Sequence, residues 1–242
     1  MKNLSYILMA SILLTLLATS ALAAPITVDG DDADWASPLH SHDDAVGDVS
    51  IAGYDIDWTY TDYDEAADRI GFMTQTVAPM EHFYSADSVE YIINADADES
   101  TGAENYKGAI SGADYRIWWG LDGQKDTAYD VTSADNVPVL SSWNATDDDW
   151  DEVSGLGAGD LRIAWGDQGT DFSIIEATLN PDFIGGPSEF NWVCYLDNGG
   201  TSADDVSPGE LSIDGDDDSP EPATWVLLAA TAAFGALRRR RA

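Results

Sequence analysis

From Tyr54 to Tyr63 the chain alternates. Tyr54, Ile56, Trp58 and Tyr60 fall on one side, and Asp55, Asp57 and Thr59 on the other. Successive strand side chains point to opposite faces, whereas a helical face repeats every ~3.6 residues, so this pattern predicts a half-buried β-strand. The same logic runs through most of the chain. Arg69 to Val77 pairs with the first run as a hairpin across Asp64–Asp68. Thr127 to Val131, Val137 to Trp143 and Trp150 to Val153 read as short strands. Leu161 to Trp165 and Phe172 to Leu179 form a second antiparallel pair, and Glu189 to Leu196 is the last long strand. Ile26 to Val28 reads as a short opening strand, Ser37 to Gly53 as a loop, and Asn180 to Gly186 as a single helical turn. Outside two apolar terminal runs, no segment keeps a helical period for three turns. The prediction is an all-β antiparallel sandwich, jelly-roll-like in type.

The most informative hairpin joins Val89–Ile93 to Asp114–Trp119. Both runs are β-branched and aromatic. The connection opens Asn94-Ala-Asp96-Ala-Asp98 and turns at Thr101-Gly102, where glycine takes positive φ without strain. Oxygen side chains at alternate positions predict a hard-cation site, with Asp96, Asp98 and Asp114 as ligands and Ca2+ as the ion. It is not an EF-hand: starting that motif at Asp96 or at Asn94 puts Thr101 or Glu99 where its glycine belongs, and Lys107 or Asn105 where its bidentate Glu belongs. The competing reading is an acidic, solvated turn.

The two ends read as addresses. Residues 1–24 carry Lys2, an apolar run from Ile7 to Leu17 and Ala21-Leu-Ala23 before Ala24-Pro25, the layout of a secretory signal peptide. At the far end, Pro220-Glu221-Pro222 precedes an apolar run to Leu237 and then Arg238, Arg239, Arg240 and Arg241. Prolines block helix upstream, the apolar segment enters the bilayer, and the arginines stay on the cytoplasmic side. This end, 220–242, resembles the PEP-CTERM sorting signal. The resemblance implies an exosortase-type processing enzyme, a transient inner-membrane anchor through a single transmembrane helix, and delivery to the cell surface or exopolysaccharide. The domain reading is therefore signal peptide 1–24, β-sandwich 25–200, acidic linker 201–219 and sorting segment 220–242.

Charge narrows the partners. The chain carries 45 acidic and 10 basic residues, for a formal net charge of −35. Between the ends the basic residues are Arg69, Lys107, Arg116, Lys125 and Arg162. Such a balance excludes a nucleic-acid binder, whose affinity rests on neutralising phosphates. It suits an extracellular protein in a cation-rich matrix. The lone cysteine, Cys194, sits in an apolar run and reads as a small buried hydrophobe.

Val28-Asp29-Gly30 with Asp34-Trp35, the stretch Glu90–Asn94 leading to Asp96, Asp98, Thr101-Gly102 and Gly112-Ala-Asp114-Tyr115, and Phe172–Leu179 leading to Asn180-Pro181 together resemble family 9 carbohydrate-binding-module-like domains, grouped with DOMON-like sandwiches. One departure is Ile93-Asn94, where that family's loop tends to read Ile-Asp. The resemblance implies a β-sandwich, often calcium-stabilised, with a glycan-binding face in some members and no catalysis.

Sugars lay their apolar CH faces on aromatic rings. The candidate platforms are Trp118, Trp119, Trp143 and Trp150; adjacent strand residues face opposite ways, so one of Trp118 and Trp119 must turn outward. No Ser-His-Asp order, Gly-x-Ser-x-Gly, His-Glu-x-x-His or phosphate-cradling glycine loop is present. With so many acids, a pair of carboxylates is no sign of a glycosidase. The expectation is an exported, non-enzymatic protein that binds glycan, calcium or both. The alternatives are a structural matrix protein bridging polysaccharide through divalent cations, and a polysaccharide hydrolase or lyase.

Overall fold

Alternation is realised as paired strands. In the computed structural model, which describes residues 25–35, 40–47, 49, 51–80, 87–121, 125–198, 204–205 and 209–212, the strands are β1 (His40–Asp43), β2 (Ile56–Asp64), β3 (Arg69–Thr76), β4 (Asp87–Asn94), β5 (Tyr115–Gly120), β6 (Tyr129–Asp130), β7 (Val139–Asn144), β8 (Asp149–Glu152), β9 (Leu161–Gln168), β10 (Phe172–Leu179), β11 (Glu189–Asn198), β12 (Asp204–Asp205) and β13 (Gly209–Ser212). One sheet, A, has the order β1-β2-β3-β10-β9-β6. The other, B, runs β12-β11-β4-β5-β7-β8, with β13 also on β11. Every pairing is antiparallel. Among the described residues no helix is long and apolar enough to cross a membrane. The predicted signal peptide (1–24) and sorting segment (220–242) lie outside those residues.

One core fills the space between the sheets. Sheet A contributes Ile70, Phe72, Ile163, Ile175 and Leu179; sheet B contributes Val89, Tyr91, Ile117, Trp119, Phe190 and Trp192. Phe72 meets Trp192 edge-on at 5.4 Å and Tyr91 at 5.3 Å between ring centroids. Each such fully buried ring contributes about 2–3 kcal/mol. Several polar groups inside are paired: Tyr91 Oη donates to the Ile175 carbonyl at 3.1 Å, and Thr74 Oγ1 lies 3.2 Å from Tyr91 Oη and 3.1 Å from Cys194 Sγ, whereas Trp192 Nε1 has no acceptor among the described residues. Burial pushes the Tyr91 phenol well above its ordinary range. Cys194 is buried at this spot, as its apolar context predicts.

Both outer faces carry a cover. On sheet A, Trp35, Met73 and Ile174 form an apolar cluster joined by Ile26, Tyr60 and Phe172. Residues 25–35, expected to open with a strand, instead lie across the sheet and end in a 3-10 turn at Asp32–Asp34. On sheet B, Ile92 and Val193 pack under Ala103, Ile110 and Ala113, which belong to the long β4–β5 connection. That connection is a folded flap, closed by isolated bridges Ala103↔Ala113 and Tyr106↔Ile110.

Two further expectations are corrected, and a third holds. The Ser37–Gly53 stretch is not all loop: it holds β1 and part of a 3-10 turn at Ala52–Tyr54. The segment read as an acidic linker, 201–219, contributes β12 and β13 to β11, so the compact unit runs from Pro25 to Asp214. Backbone groups on an edge strand invite pairing whatever side chains they carry, which is why a polar, Gly-rich stretch can add there. The single helical turn after Asn180 is present as a 3-10 turn, Pro181–Ile184, with the Asn180 side chain capping Asp182 N.

Candidate functional site

Register decides which side chains face out from sheet B. β4 pairs Glu90 with Trp118 and Ile92 with Arg116; β7 pairs Val139 with Trp118 and Ser141 with Arg116; β8 pairs Trp150 with Trp143. Alternation sends Ile117 and Trp119 into the core and leaves Arg116 and Trp118 outside. Of the two neighbouring indoles, Trp118 is 37% exposed and Trp119 0%. Trp119 therefore offers no platform to a sugar. Its Nε1 donates to the Asn136 carbonyl at 2.8 Å, and its ring packs 5.7 Å from Tyr129.

A charged cluster seats the flap. Glu90 lies almost wholly inside, its side chain 5% exposed, and pairs with Lys107 Nζ and, at 3.7 Å, with Arg116 Nη1. Arg116 Nη1 also donates to Tyr106 Oη at 3.1 Å. Lys107 Nζ sits 3.8 Å over the Tyr195 ring, a cation–π contact. To reach this position Lys107 adopts φ +51°, a left-handed conformation that non-glycine residues avoid. Burial, then the Glu90 carboxylate, raise the Tyr106 phenol.

Beside the seated flap lies a cleft of about 610 Å³, lined by Ala103, Glu104 and Tyr106 from the flap, Arg116 from β5, and Trp143, Asp148, Asp149 and Trp150 from the β7–β8 hairpin. The walls are aromatic. Trp150 stands edge-on to Tyr106 at 5.2 Å and to Trp143 at 5.4 Å. The Arg116 guanidinium lies 5.0 Å from the Trp150 ring. Carboxylates occupy the rim, since Glu104, Asp148 and Asp149 are all exposed. Asn144 builds the turn that carries two of them: its carbonyl takes Asp147 N and Asp148 N, its Oδ1 takes Thr146 N, and its Nδ2 donates to Asp147 and Asp151. Two buried donors here, Arg116 Nε and Trp150 Nε1, have no acceptor among the described residues.

Trp143 also lines a second cleft of about 360 Å³ with Asp96, Asp114, Tyr115, Ser142 and the turn at Ile184–Gly185. The expected cation ligands divide here. Asp96 and Asp114 share this cleft. Asp98 turns to its own loop, taking Ser100 N at 2.9 Å and Ser100 Oγ at 2.6 Å, bonds that hold its carboxyl below the usual range. Asp96 takes Asp98 N and Thr101 Oγ1, and Asp114 takes Ala95 N. Burial, with Asp96 and Asp98 adding repulsion, raises the Asp114 carboxyl. Among the described residues no group of three or more His, Cys, Asp or Glu is placed to hold a metal ion.

Of the expected sugar platforms, Trp143 and Trp150 come together, Trp118 shares their face outside the cleft lining, and Trp119 leaves for the core. Sequence reading missed Glu90, Arg116, Tyr106 and Lys107. One signal was present: an acid and a base, each inside an otherwise apolar strand, are partners more often than accidents. No protein-family model matches the chain, and no curated protein matches it in sequence.

Proposed function

We propose that the Pro25–Asp214 unit is a glycan-binding module of an exported protein, carried to the cell surface or into exopolysaccharide by a signal peptide and a processed sorting tail. The observation that carries this reading is the cleft in which Tyr106, Trp143 and Trp150 meet beside Arg116 and the carboxylates of Glu104, Asp148 and Asp149. Indole and phenol edges and faces fit the CH surfaces of sugar rings, while carboxylates accept hydroxyl hydrogen bonds. The two-sheet architecture accords with a carbohydrate-binding-module-like sandwich. Export and sorting rest on the terminal sequences: residues 1–24 for export, and Pro220-Glu221-Pro222 with Arg238–Arg241 for exosortase-type processing and passing membrane anchorage. Calcium belongs to the proposal at Asp96 and Asp114 alone, the two predicted ligands that share a cleft.

Affinity electrophoresis of Pro25–Asp214 through gels containing different polysaccharides tests the reading. At least one polysaccharide retards the native protein, and Trp150→Ala and Trp143→Ala restore free migration. Equal retardation of native and variant proteins defeats the assignment of this cleft.

A further inference from the structure

Trp143 is a wall common to both clefts. Strand alternation explains how. At the end of β7, Ser142 pairs with Tyr115 on the face toward the other sheet, and the next residue, Trp143, pairs with Trp150 on the outer face. The cleft of about 610 Å³ therefore opens on the outer face and that of about 360 Å³ at the mouth of the sandwich, with one indole between them. The Trp143 N–H donates to the Asp114 carbonyl at 2.8 Å, which fixes this wall to the residue before β5.

The smaller cleft has the chemistry of a sugar subsite in its own right. Tyr115, half-buried against the core, and Pro187 offer apolar surface for a ring. Ser142 Oγ and Tyr115 Oη make no hydrogen bond among the described residues, so both are open to hydroxyl groups. Both volumes lie within the ~300–1,000 Å³ typical of small-ligand sites. Both clefts are open-sided: Asp148 and Asp149 at one, and Gly185 at the other, are exposed. Neither is shaped to close around the end of a chain.

Resting on the glycan-binding reading, we propose that the two clefts are successive subsites for one linear polysaccharide, which crosses the edge of Trp143 so that the protein grips an internal stretch of chain. Tyr115 and Ser142 are the specificity-determining residues this adds. Occupancy of the second subsite by an already bound chain is an intramolecular step, so affinity grows with chain length.

The purified full chain is titrated by calorimetry, in calcium-containing buffer, with size-fractionated oligomers of β-glucan, xylan, mannan, alginate and chitosan, from disaccharides upward. Trp150→Ala removes a wall of the larger cleft. Tyr115→Leu strips the ring and hydroxyl from the smaller one, and Ser142→Gln fills it. The last two leave Asp96 and Asp114 in place, so an ion held there is common to native and variant. Should Tyr115→Leu fail to fold, Ser142→Gln decides. The expected result is at least one series in which long oligomers bind at least about tenfold tighter than the disaccharide. Tyr115→Leu and Ser142→Gln bind the disaccharide as native does and lose that gain. A long oligomer also offers more binding registers, but that statistical increase survives in both variants, so only the part they abolish counts. A gain undiminished in either folded variant, or long-oligomer binding lost when the reducing ends are converted to alditols, overturns the two-subsite assignment. If disaccharides still bind and Trp150→Ala abolishes it, glycan binding at the larger cleft stands without it. No binding by any series, with Trp150→Ala indistinguishable from native, removes both.

Discussion

The Trp35 indole donates to the Glu176 carboxylate at 2.6 Å, tying residues 25–35 to the middle of sheet A. The same carboxylate takes Asp29 N at 3.0 Å and Gly30 N at 2.6 Å. Glu176 is wholly buried, and burial pushes its carboxyl up to about 7 from an ordinary 4.5, against the pull of the three N–H donors and with help from Asp34.

That shift has a definite sign. The folded chain binds the Glu176 proton more tightly than the unfolded chain. The resulting stability is fully present below about 4.5 and is lost as pH rises through about 7. Its size is up to about 3 kcal/mol, at about 1.4 kcal/mol per unit. Relief of charge repulsion in acid acts in the same direction, so the comparison must be with Glu176→Gln. Melting temperature should fall more steeply between pH 5 and pH 7.5 in the native protein than in the variant; parallel slopes would rule out Glu176 as the group responsible.

The arm also depends on two glycines. A Cβ on Gly166 would meet the Gly30 carbonyl oxygen, and Gly30 itself has φ +84° against the Trp165–Gly166 backbone. Backbone on both sides cannot retreat as a flexible side chain can. Gly166→Ala should cost about 1–3 kcal/mol and expose the Trp35 region to protease. Unchanged stability with an intact arm would show that the sheet yields more readily than its packing implies.

Removing Glu90 leaves Lys107 and Arg116 facing each other beneath the flap. A fully buried pair broken on one side costs ~3–5 kcal/mol, but these cations keep 23% and 22% of their side chains exposed, so Glu90→Ala should cost about 2 kcal/mol. Denaturant unfolding gives the number, and amide exchange across 103–113 should speed up in parallel. Rapid exchange without loss of global stability would place Glu90's role in the flap alone.

The tryptophans should separate fold from binding. Trp119→Ala empties core volume and should cost about 3–5 kcal/mol, whereas the half-buried Trp150 should cost about 1–2 kcal/mol and leave a folded protein that no longer binds glycan. A Trp150→Ala protein that binds as well as native refutes the cleft.

Calcium has its own test. At a concentration about 100 times its dissociation constant it should add about 2.7 kcal/mol to stability. Asp114→Asn should abolish the gain and Asp98→Asn should not, since Asp98 is committed to Ser100. Acid should weaken the effect, because the raised Asp114 carboxyl protonates early. A melting temperature indifferent to calcium removes the ion from the account.

Much of the fold was legible in one dimension. The apolar runs at Val89–Ile93 and Phe172–Leu179 fix strands through a local rule, the two-residue period of an extended chain. Tyr54–Tyr63 gave its strand but not its faces: a register shift between Ile56 and Trp58 leaves Ile56 in the core, puts Tyr60 on the outer face and buries Thr59 and Thr61. The indole pair at Trp118 and Trp119 likewise had to split between faces. What no local rule supplies is which distant segment covers which face. The 25–35 arm and the 95–114 flap carry few strand or helix signals, because they are held by contacts to Glu176, Gly71 and Gly166 on one side and to Glu90, Ile92 and Val193 on the other. Nor could spacing reveal that Asp98 turns its Oδ1 to Ser100, or that Tyr106 and Arg116 close a wall with Trp150. The sequence determined the two-sheet architecture and its acidic surface, since both follow from residue type and order. The cleft arose only when register across β4, β5, β7 and β8 brought side chains far apart in the chain onto one face.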